Sequence, residues 1–290
     1  MPPPTVMAAR LRLAVSNIAW MPAEDAAVAD VLRREGVGGV EIAPTKWRER
    51  PLNATARDVA AYRRAWEERG LPIVAMQSLL YGRPDLQLFG DDARRSATVE
   101  YLRRVIDLGA GLGAHTLVFG SPKNRTRGAL SEREALHVAI DALHELGTHA
   151  HEHGMTFCLE ANPPTYGCDF ITATAEAVDL VRVIDHPGVR VNADLGGMTI
   201  SGEEPMTSLC DGRGLFGHVH ASEPNLSELG TAAADHASAA QGLAQIDYAE
   251  WVSIEMRAVM PYESPLNVVA VERAVRLAKS AYASVIEPRA

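Results

Sequence analysis

Short apolar, β-branched runs alternate along this chain with longer stretches whose apolar residues recur at helical spacing. The short runs predict strands at residues 11–16, 39–43, 73–78, 115–119, 155–160, 189–194, 216–220 and 251–255. The longer ones predict helices at 23–35, 56–69, 93–108, 132–153, 173–183, 235–243 and 266–285, with a poorly defined stretch near 206–210. Several strands are apolar almost throughout, as expected of parallel strands covered on both faces. Helix punctuation agrees. Ser131 precedes Glu134 in a reciprocal capping pattern at the start of the fourth helix. Gly36, Gly70 and Gly154 follow helical runs, where a left-handed residue ends a helix. Strict alternation, with no internal repeat and no Pro- or Ser-rich linker, predicts a single-domain α/β protein: a (β/α)8 TIM barrel over 1–290, with residues 1–9 disordered or extended. An open doubly wound sheet is the other architecture the alternation allows, but no Gly-x-Gly-x-x-Gly follows the first strand.

Composition narrows the class. A length of 290 residues suits one barrel domain, and 47% hydrophobic with 22% charged residues supplies a sizeable core. The formal net charge of −9 argues against a nucleic-acid partner, because a phosphate backbone is bound by a basic surface. Cys158, Cys168 and Cys210 form no Cys-x-x-Cys pair, which fits a reducing compartment. No apolar run approaches the roughly 20 residues of a membrane span, and the start of the chain lacks a signal-peptide core. The expectation is a cytoplasmic protein with a small-molecule partner and no membrane partner.

Candidate chemistry gathers at strand ends. Glu160, Asp194, His220 and Glu255 close four consecutive predicted strands and are spaced 34, 26 and 35 residues apart, about one strand-plus-helix unit each. On a barrel they converge at one mouth, where barrel enzymes keep their active sites. Singly, each has a plain alternative: a carboxylate as helix cap or salt-bridge partner, a histidine hydrogen-bonded in the core. Jointly, buried carboxylates repel one another and resist ionisation, and a divalent cation removes that conflict. Three carboxylates and an imidazole suit Mn²⁺ first, with Mg²⁺, Co²⁺ or Zn²⁺ as alternatives. Glu41, ending the second strand, is read as structural and outside this cluster.

Long loops at 79–90, 161–169 and 221–234 are expected to build the substrate pocket. Lys46, Trp47, Tyr81, Arg83 and Lys123 lie on mouth loops as candidate substrate contacts. Arg257 follows Glu255 by two residues and is expected on the same side, to hold an anionic substrate group or a rim salt bridge. His236 begins the seventh helix, either reaching the pocket or lying on the surface. His218 shares a face with His220 and is expected to support it.

These residues carry a resemblance. Gly39-Val-Glu-Ile42, Leu159-Glu160, Asp194, His218-Val-His220 and Ser253-Ile-Glu255 resemble the xylose isomerase-like barrel superfamily, in its sugar phosphate isomerase/epimerase branch of D-tagatose and D-psicose 3-epimerases. The resemblance covers nearly the whole chain. It implies that Glu160, Asp194, His220 and Glu255 are metal ligands and that Glu160 and Glu255 are also the catalytic acid–base pair. The implied reaction is carboxylate proton transfer through a metal-stabilised enediolate on a sugar-type substrate, with pairing into a homodimer. Three family sugar-contact positions differ, being Gly197, Leu226 and Tyr166 here, so the specificity shell is rebuilt and Tyr166 becomes a substrate contact of this chain. Aromatic and Pro-rich loops point to a glycoside or modified sugar. A metal-dependent dehydratase of a keto-cyclitol or keto-sugar, resembling inosose dehydratases, and a non-catalytic sugar-binding barrel are the alternatives. An abasic-site endonuclease of similar fold is disfavoured by the acidic charge and the missing histidine ligands.

Overall fold

The strands are β1 (Leu11–Ser16), β2 (Val37–Ile42), β3 (Ile73–Met76), β4 (Thr116–Phe119), β5 (Thr156–Glu160), β6 (Val189–Asp194), β7 (Phe216–Ser222) and β8 (Val252–Glu255). They pair in parallel in chain order, and β1 also pairs with β8, so the sheet closes into a barrel. Closure removes the open-sheet alternative. The computed structural model describes residues 11–259 and 266–286, so the expectation for residues 1–9 lies outside the described residues.

Helices α1 (Asp25–Arg34), α2 (Pro44–Trp47), α3 (Ala56–Glu68), α4 (Asp92–Leu112), α5 (Glu132–Glu152), α6 (Thr174–Ile184), α7 (Leu195–Ser201), α8 (Pro205–Asp211), α9 (His236–Gln245), α10 (Leu266–Ala281) and α11 (Ala283–Ile286) run between and after the strands. No described helix is long and apolar enough to cross a membrane. The capping box forms at α5: the Glu134 amide donates to Ser131 Oγ while Glu134 Oε2 accepts from the Ser131 amide at 2.9 Å. Gly36, Gly70 and Gly154 are left-handed, as their helix-ending role requires.

Two stretches differ from the sequence reading. The region after β6 holds two helices, α7 and α8, instead of one loose segment. The α7 sequence Leu-Gly-Gly-Met-Thr-Ile-Ser is weakly helical on its own, and Asp194 starts it by accepting from the Gly197 amide. The last predicted helix ends at Ala281, and a short turn of helix, α11, follows.

Strand register sets the height of each inward-facing side chain. Glu160 pairs with Asn192, Asn192 with His218, Asp194 with His220, and Ser222 with Glu255. Because alternate residues on a strand share a face, these positions stack inside the barrel on neighbouring strands at its C-terminal end. The lower barrel is packed tightly against backbone. A Cβ on Gly39 of β2 would lie 2.6 Å from Val74 Cγ1 and 2.8 Å from the Pro72 carbonyl oxygen. Gly39→Ala is therefore expected to destabilise the fold by about 1–3 kcal/mol, seen as a lower urea midpoint at unchanged slope. An unchanged midpoint would mean that β2 and β3 move apart freely.

Candidate metal centre

The structure brings Glu160, Asp194, His220 and Glu255 together at the barrel mouth. His220 is buried, and its Nδ1 lies 3.2 Å from Glu255 Oε2, 3.3 Å from Glu160 Oε2 and 3.9 Å from Asp194 Oδ2. Potential ligand atoms of Glu160, Asp194 and His220 all fall within 4.8 Å of one another. The three carboxylates edge onto a cavity of about 380 Å³ that is also lined by Gln77, Asn162, Tyr166 and Arg257.

Each ligand-type side chain is held by partners the sequence reading did not single out. Glu160 accepts at Oε1 from Asn162 Nδ2 and at Oε2 from Asn192 Nδ2, both at 2.8 Å. Glu255 Oε1 accepts from Gln77 Nε2 at 2.9 Å, and the same amide donates to Ser16 Oγ. Asp194 accepts from Ser222 Oγ at 2.6 Å and from the Gly197 amide at 2.5 Å. Asn192, Asn162 and Ser222 each stand two residues from a quartet member, and that spacing was the available signal. Fully buried Arg125 gave no such signal. Its guanidinium donates to the carbonyls of Gly120, Glu160 and Phe170, tying the ends of β4 and β5 together.

Glu41 corrects the reading that set it outside the cluster. It is fully buried, and its Oε1 lies 3.2 Å from Nε2 of both His220 and His218. Its Oε2 accepts from Ser253 Oγ at 2.8 Å. With Glu41 at Nε2, the lone pair of neutral His220 is directed through Nδ1 at the carboxylates, the arrangement that orients a metal-binding imidazole.

Charge explains what these groups need. Burial and the neighbouring Glu160 and Glu255 carboxylates push Asp194 up to about 7. Burial also raises Glu255. Burial disfavours the charged form of Glu160 too, but His220, Asn162 and Arg125 outweigh it and hold this carboxyl low. Burial works against the His220 imidazolium, yet Glu255, Glu41 and Glu160 hold it well above the usual histidine range. A proton on His220 partly balances the site, and a divalent cation would balance more of it. The backbone leaves room: a Cβ on Gly120 would fall 2.4 Å from Glu160 Oε1.

The sign of the pH dependence follows. The folded Asp194 takes up its proton at a higher pH than the unfolded aspartate, so metal-free stability falls as pH rises from about 4 to 7. A raised His220 acts in the same direction. A cation replacing those protons is therefore expected to raise Tm more near pH 8 than near pH 5. Calorimetry with and without Mn²⁺ checks this, and an equal gain at both pH values would count against the site.

The other sequence candidates divide. Tyr166 and Arg257 line the cavity; Tyr166 Oη accepts from the Asn225 amide at 2.9 Å, and the exposed Arg257 guanidinium makes no ion pair among the described residues. The structure places His236 elsewhere. It is buried behind Glu223, with Nε2 3.2 Å from Glu223 Oε1 and Nδ1 2.8 Å from Tyr282 Oη. Lys46 and Trp47 also lie outside the cavity, because the single turn α2 carries them away from the mouth. Trp47 stacks on Tyr62 at 4.6 Å and Lys46 Nζ lies 4.0 Å from Met21 Sδ. Tyr81, 71% exposed, borders a separate groove of about 1170 Å³ with Arg50, Arg83 and Tyr101. Arg83 is paired there with Asp85, and Lys123 is absent from the cavity lining.

The three departing positions have structural reasons or consequences. A Cβ on Gly197 would lie 2.9 Å from Asp194 Oδ1, so a side chain there would crowd that carboxylate. Asn225 and Leu226 are left-handed, at φ 60° and 57°, as are the cavity residues Ser78 and Ser121. Such conformations cost energy in non-glycine residues and cluster at functional sites.

A family model described as a xylose isomerase-like TIM barrel matches residues 29–276. No curated protein matches the chain. Among solved structures, D-psicose 3-epimerase with D-tagatose from Clostridium cellulolyticum H10 is 15% identical, with a TM-score of 0.78 over 93% of this chain and 99% of that one. The apo form of 3-keto-D-glucoside 4-epimerase from E. coli is 19% identical, with a TM-score of 0.72 over 93% of this chain and 100% of that one. The IOLI protein with a binding zinc atom is 16% identical, with a TM-score of 0.74 over 95% of this chain and 99% of that one. At such identities these likenesses concern the fold.

Proposed function

The chain belongs to the xylose isomerase-like TIM barrel family, and from that premise we propose that it is a divalent-metal-dependent sugar epimerase or isomerase. The observation that carries this reading is the convergence of Glu160, Asp194 and Glu255 on His220 Nδ1 at the mouth of a cavity. Glu160, Asp194, His220 and Glu255 would hold the cation, with Mn²⁺ proposed first. One structure of similar fold has a bound zinc atom, which supports a divalent ion for this chain. A cation held by these residues would supply polarisation of a substrate carbonyl and so acidify the neighbouring C–H.

The protein groups then divide the work. Glu255 has one oxygen fixed by Gln77, while the other, Oε2, meets only the His220 imidazole among the described residues. It is the base that takes the carbon-bound proton. Glu160, both oxygens fixed by amides and its carboxyl held low, positions the reacting carbons and, as the acid partner, passes on a proton that it first takes up from solvent. Glu41 keeps His220 in the tautomer that faces the site.

The substrate proposed is a keto-sugar carrying a substituent, such as a glycoside. Leu226 offers this cavity no polar side chain for a sugar hydroxyl, while Tyr166 and Arg257 line it with an aromatic ring and a cation. One fold neighbour is a 3-keto-D-glucoside epimerase, which supports testing this class first.

Incubation of Mn²⁺-loaded protein with ketoses, keto-glycosides and keto-cyclitols in D₂O is expected to bring solvent deuterium into one substrate carbon. Inversion at that carbon identifies an epimerase, a shifted carbonyl an isomerase, and loss of water a dehydratase. Metal retention without exchange across the panel would leave a binding barrel and sink the proposal.

A further inference from the structure

We infer that the chain carries a second metal site, for Zn²⁺, between α4 and α5 at the end of the barrel opposite the quartet. Its residues are Asp107 on α4, His149 on α5 and His153 at the C-terminal cap of α5. His149 Nε2 lies 2.7 Å and His153 Nε2 3.2 Å from the same oxygen, Asp107 Oδ1. The three ligand atoms all fall within 4.8 Å of one another.

The residue types and spacing suit the ion. Histidines four residues apart on a helix project from one face, and here the two rings meet edge to face with centroids 4.9 Å apart. Tetrahedral zinc with bonds of about 2.0–2.1 Å separates its ligand atoms by roughly 3.3 Å, close to the separations present. The far side of the His149 ring fits as well. Its Nδ1 is buried without a hydrogen-bond partner among the described residues, and the Glu152 carboxylate stands 3.9 Å away, placed to orient the imidazole once the other nitrogen binds metal. Asp107 and His153 are exposed enough to admit the ion from solvent and leave a coordination position for water.

Position separates this site from the quartet. The C-terminal end of α5 leads into the start of β5, whereas Glu160 ends that strand. Two helices that otherwise meet through packing and the exposed Arg103–Glu145 ion pair would be clipped by one ion, so the site is structural and stabilises the α4–α5 pair.

The test counts Zn²⁺ bound per chain by competition with a chromophoric chelator, in the wild type and in the His149→Ala/His153→Ala double variant. The double variant is expected to bind one equivalent fewer and to lose the corresponding part of the Zn²⁺-induced rise in Tm. That difference does not depend on whether the quartet also takes zinc, so failure here and failure of the catalytic reading are distinguishable. Should the double variant not fold, His153→Gln, on a partly exposed side chain, is expected to weaken uptake at this site at least about 10-fold. Co²⁺ substitution adds a spectroscopic readout, a tetrahedral visible band present in the wild type and absent from the variant. Equal uptake by wild type and variant, with or without a change in Tm, would reduce the cluster to a histidine–aspartate ion pair and overturn the proposal.

Discussion

Glu255→Gln is expected to slow solvent exchange at the substrate carbon by about 10²–10⁴-fold while the barrel stays folded and part of the metal affinity remains. The amide preserves shape, and its carbonyl oxygen still accepts from Gln77 Nε2, as Glu255 Oε1 does at 2.9 Å. What it removes is the proton acceptor at Oε2, 3.2 Å from His220 Nδ1. Glu160→Gln is expected to behave differently. Both oxygens of Glu160 accept from side-chain amides, Asn162 and Asn192, so a glutamine must turn its own NH₂ toward one of these donors. That leaves a buried donor unpaired and costs about 1–3 kcal/mol, and metal content falls together with exchange. Paired measurements of bound metal, thermal stability and deuterium incorporation separate the two variants. Full exchange in Glu255→Gln would remove Glu255 from the chemistry and make it a ligand only.

The pattern of the chain made the barrel and the quartet legible for one physical reason. Parallel strands buried on both faces must be apolar, so a carboxylate or imidazole at the end of such a run stands out, and parallel pairing of successive units brings those ends to one mouth. The polar partners were hidden by the same logic. Asn192, Ser222 and Gln77 are ordinary neutral residues in sequence; strand pairing puts the first two against Glu160 and Asp194, and only closure of the sheet puts Gln77 against Glu255. Glu41 was misread because its role depends on contact across the barrel: β2 meets β7 through side chains, without strand pairing.

Loop residues failed for a different reason. Lys46 and Trp47 follow β2 closely, but the immediate turn of α2 sends the indole onto Tyr62 of α3 instead of over the mouth. His236 was drawn away by Glu223, whose carboxylate also accepts from the Gly230 and Ala234 amides and so folds the loop around itself. Neither outcome is written in spacing. Tyr166 and Arg257 reach the cavity because each lies just past a strand that already contributes a quartet residue.

Glu41→Ala is expected to lower metal affinity about 10–100-fold and to destabilise the metal-free chain by about 3–5 kcal/mol. Burial alone would keep the Glu41 carboxyl protonated, but His220 and His218 outweigh it and hold this group far below the usual carboxylate range. Removing it strips the buried His220 and His218 of the carboxylate both approach at 3.2 Å and leaves Ser253 Oγ without its acceptor. In the metal-free chain His220 is held as an imidazolium, so the loss is that of a buried ion-pair partner. With metal bound the imidazole would be neutral, and the loss becomes one of orientation: Glu41 no longer fixes the proton on Nε2. The destabilisation is therefore expected to be larger without metal than with it. Glu41→Gln, which keeps the packing and an acceptor for one neighbour, should fall between wild type and alanine on both scales. Denaturant titrations with and without Mn²⁺, alongside Mn²⁺ binding isotherms, check the pair. Wild-type affinity in Glu41→Ala would mean that His220 is oriented by the carboxylates and the Asn192 amide at Nδ1, and that the buried glutamate serves only the histidines' packing.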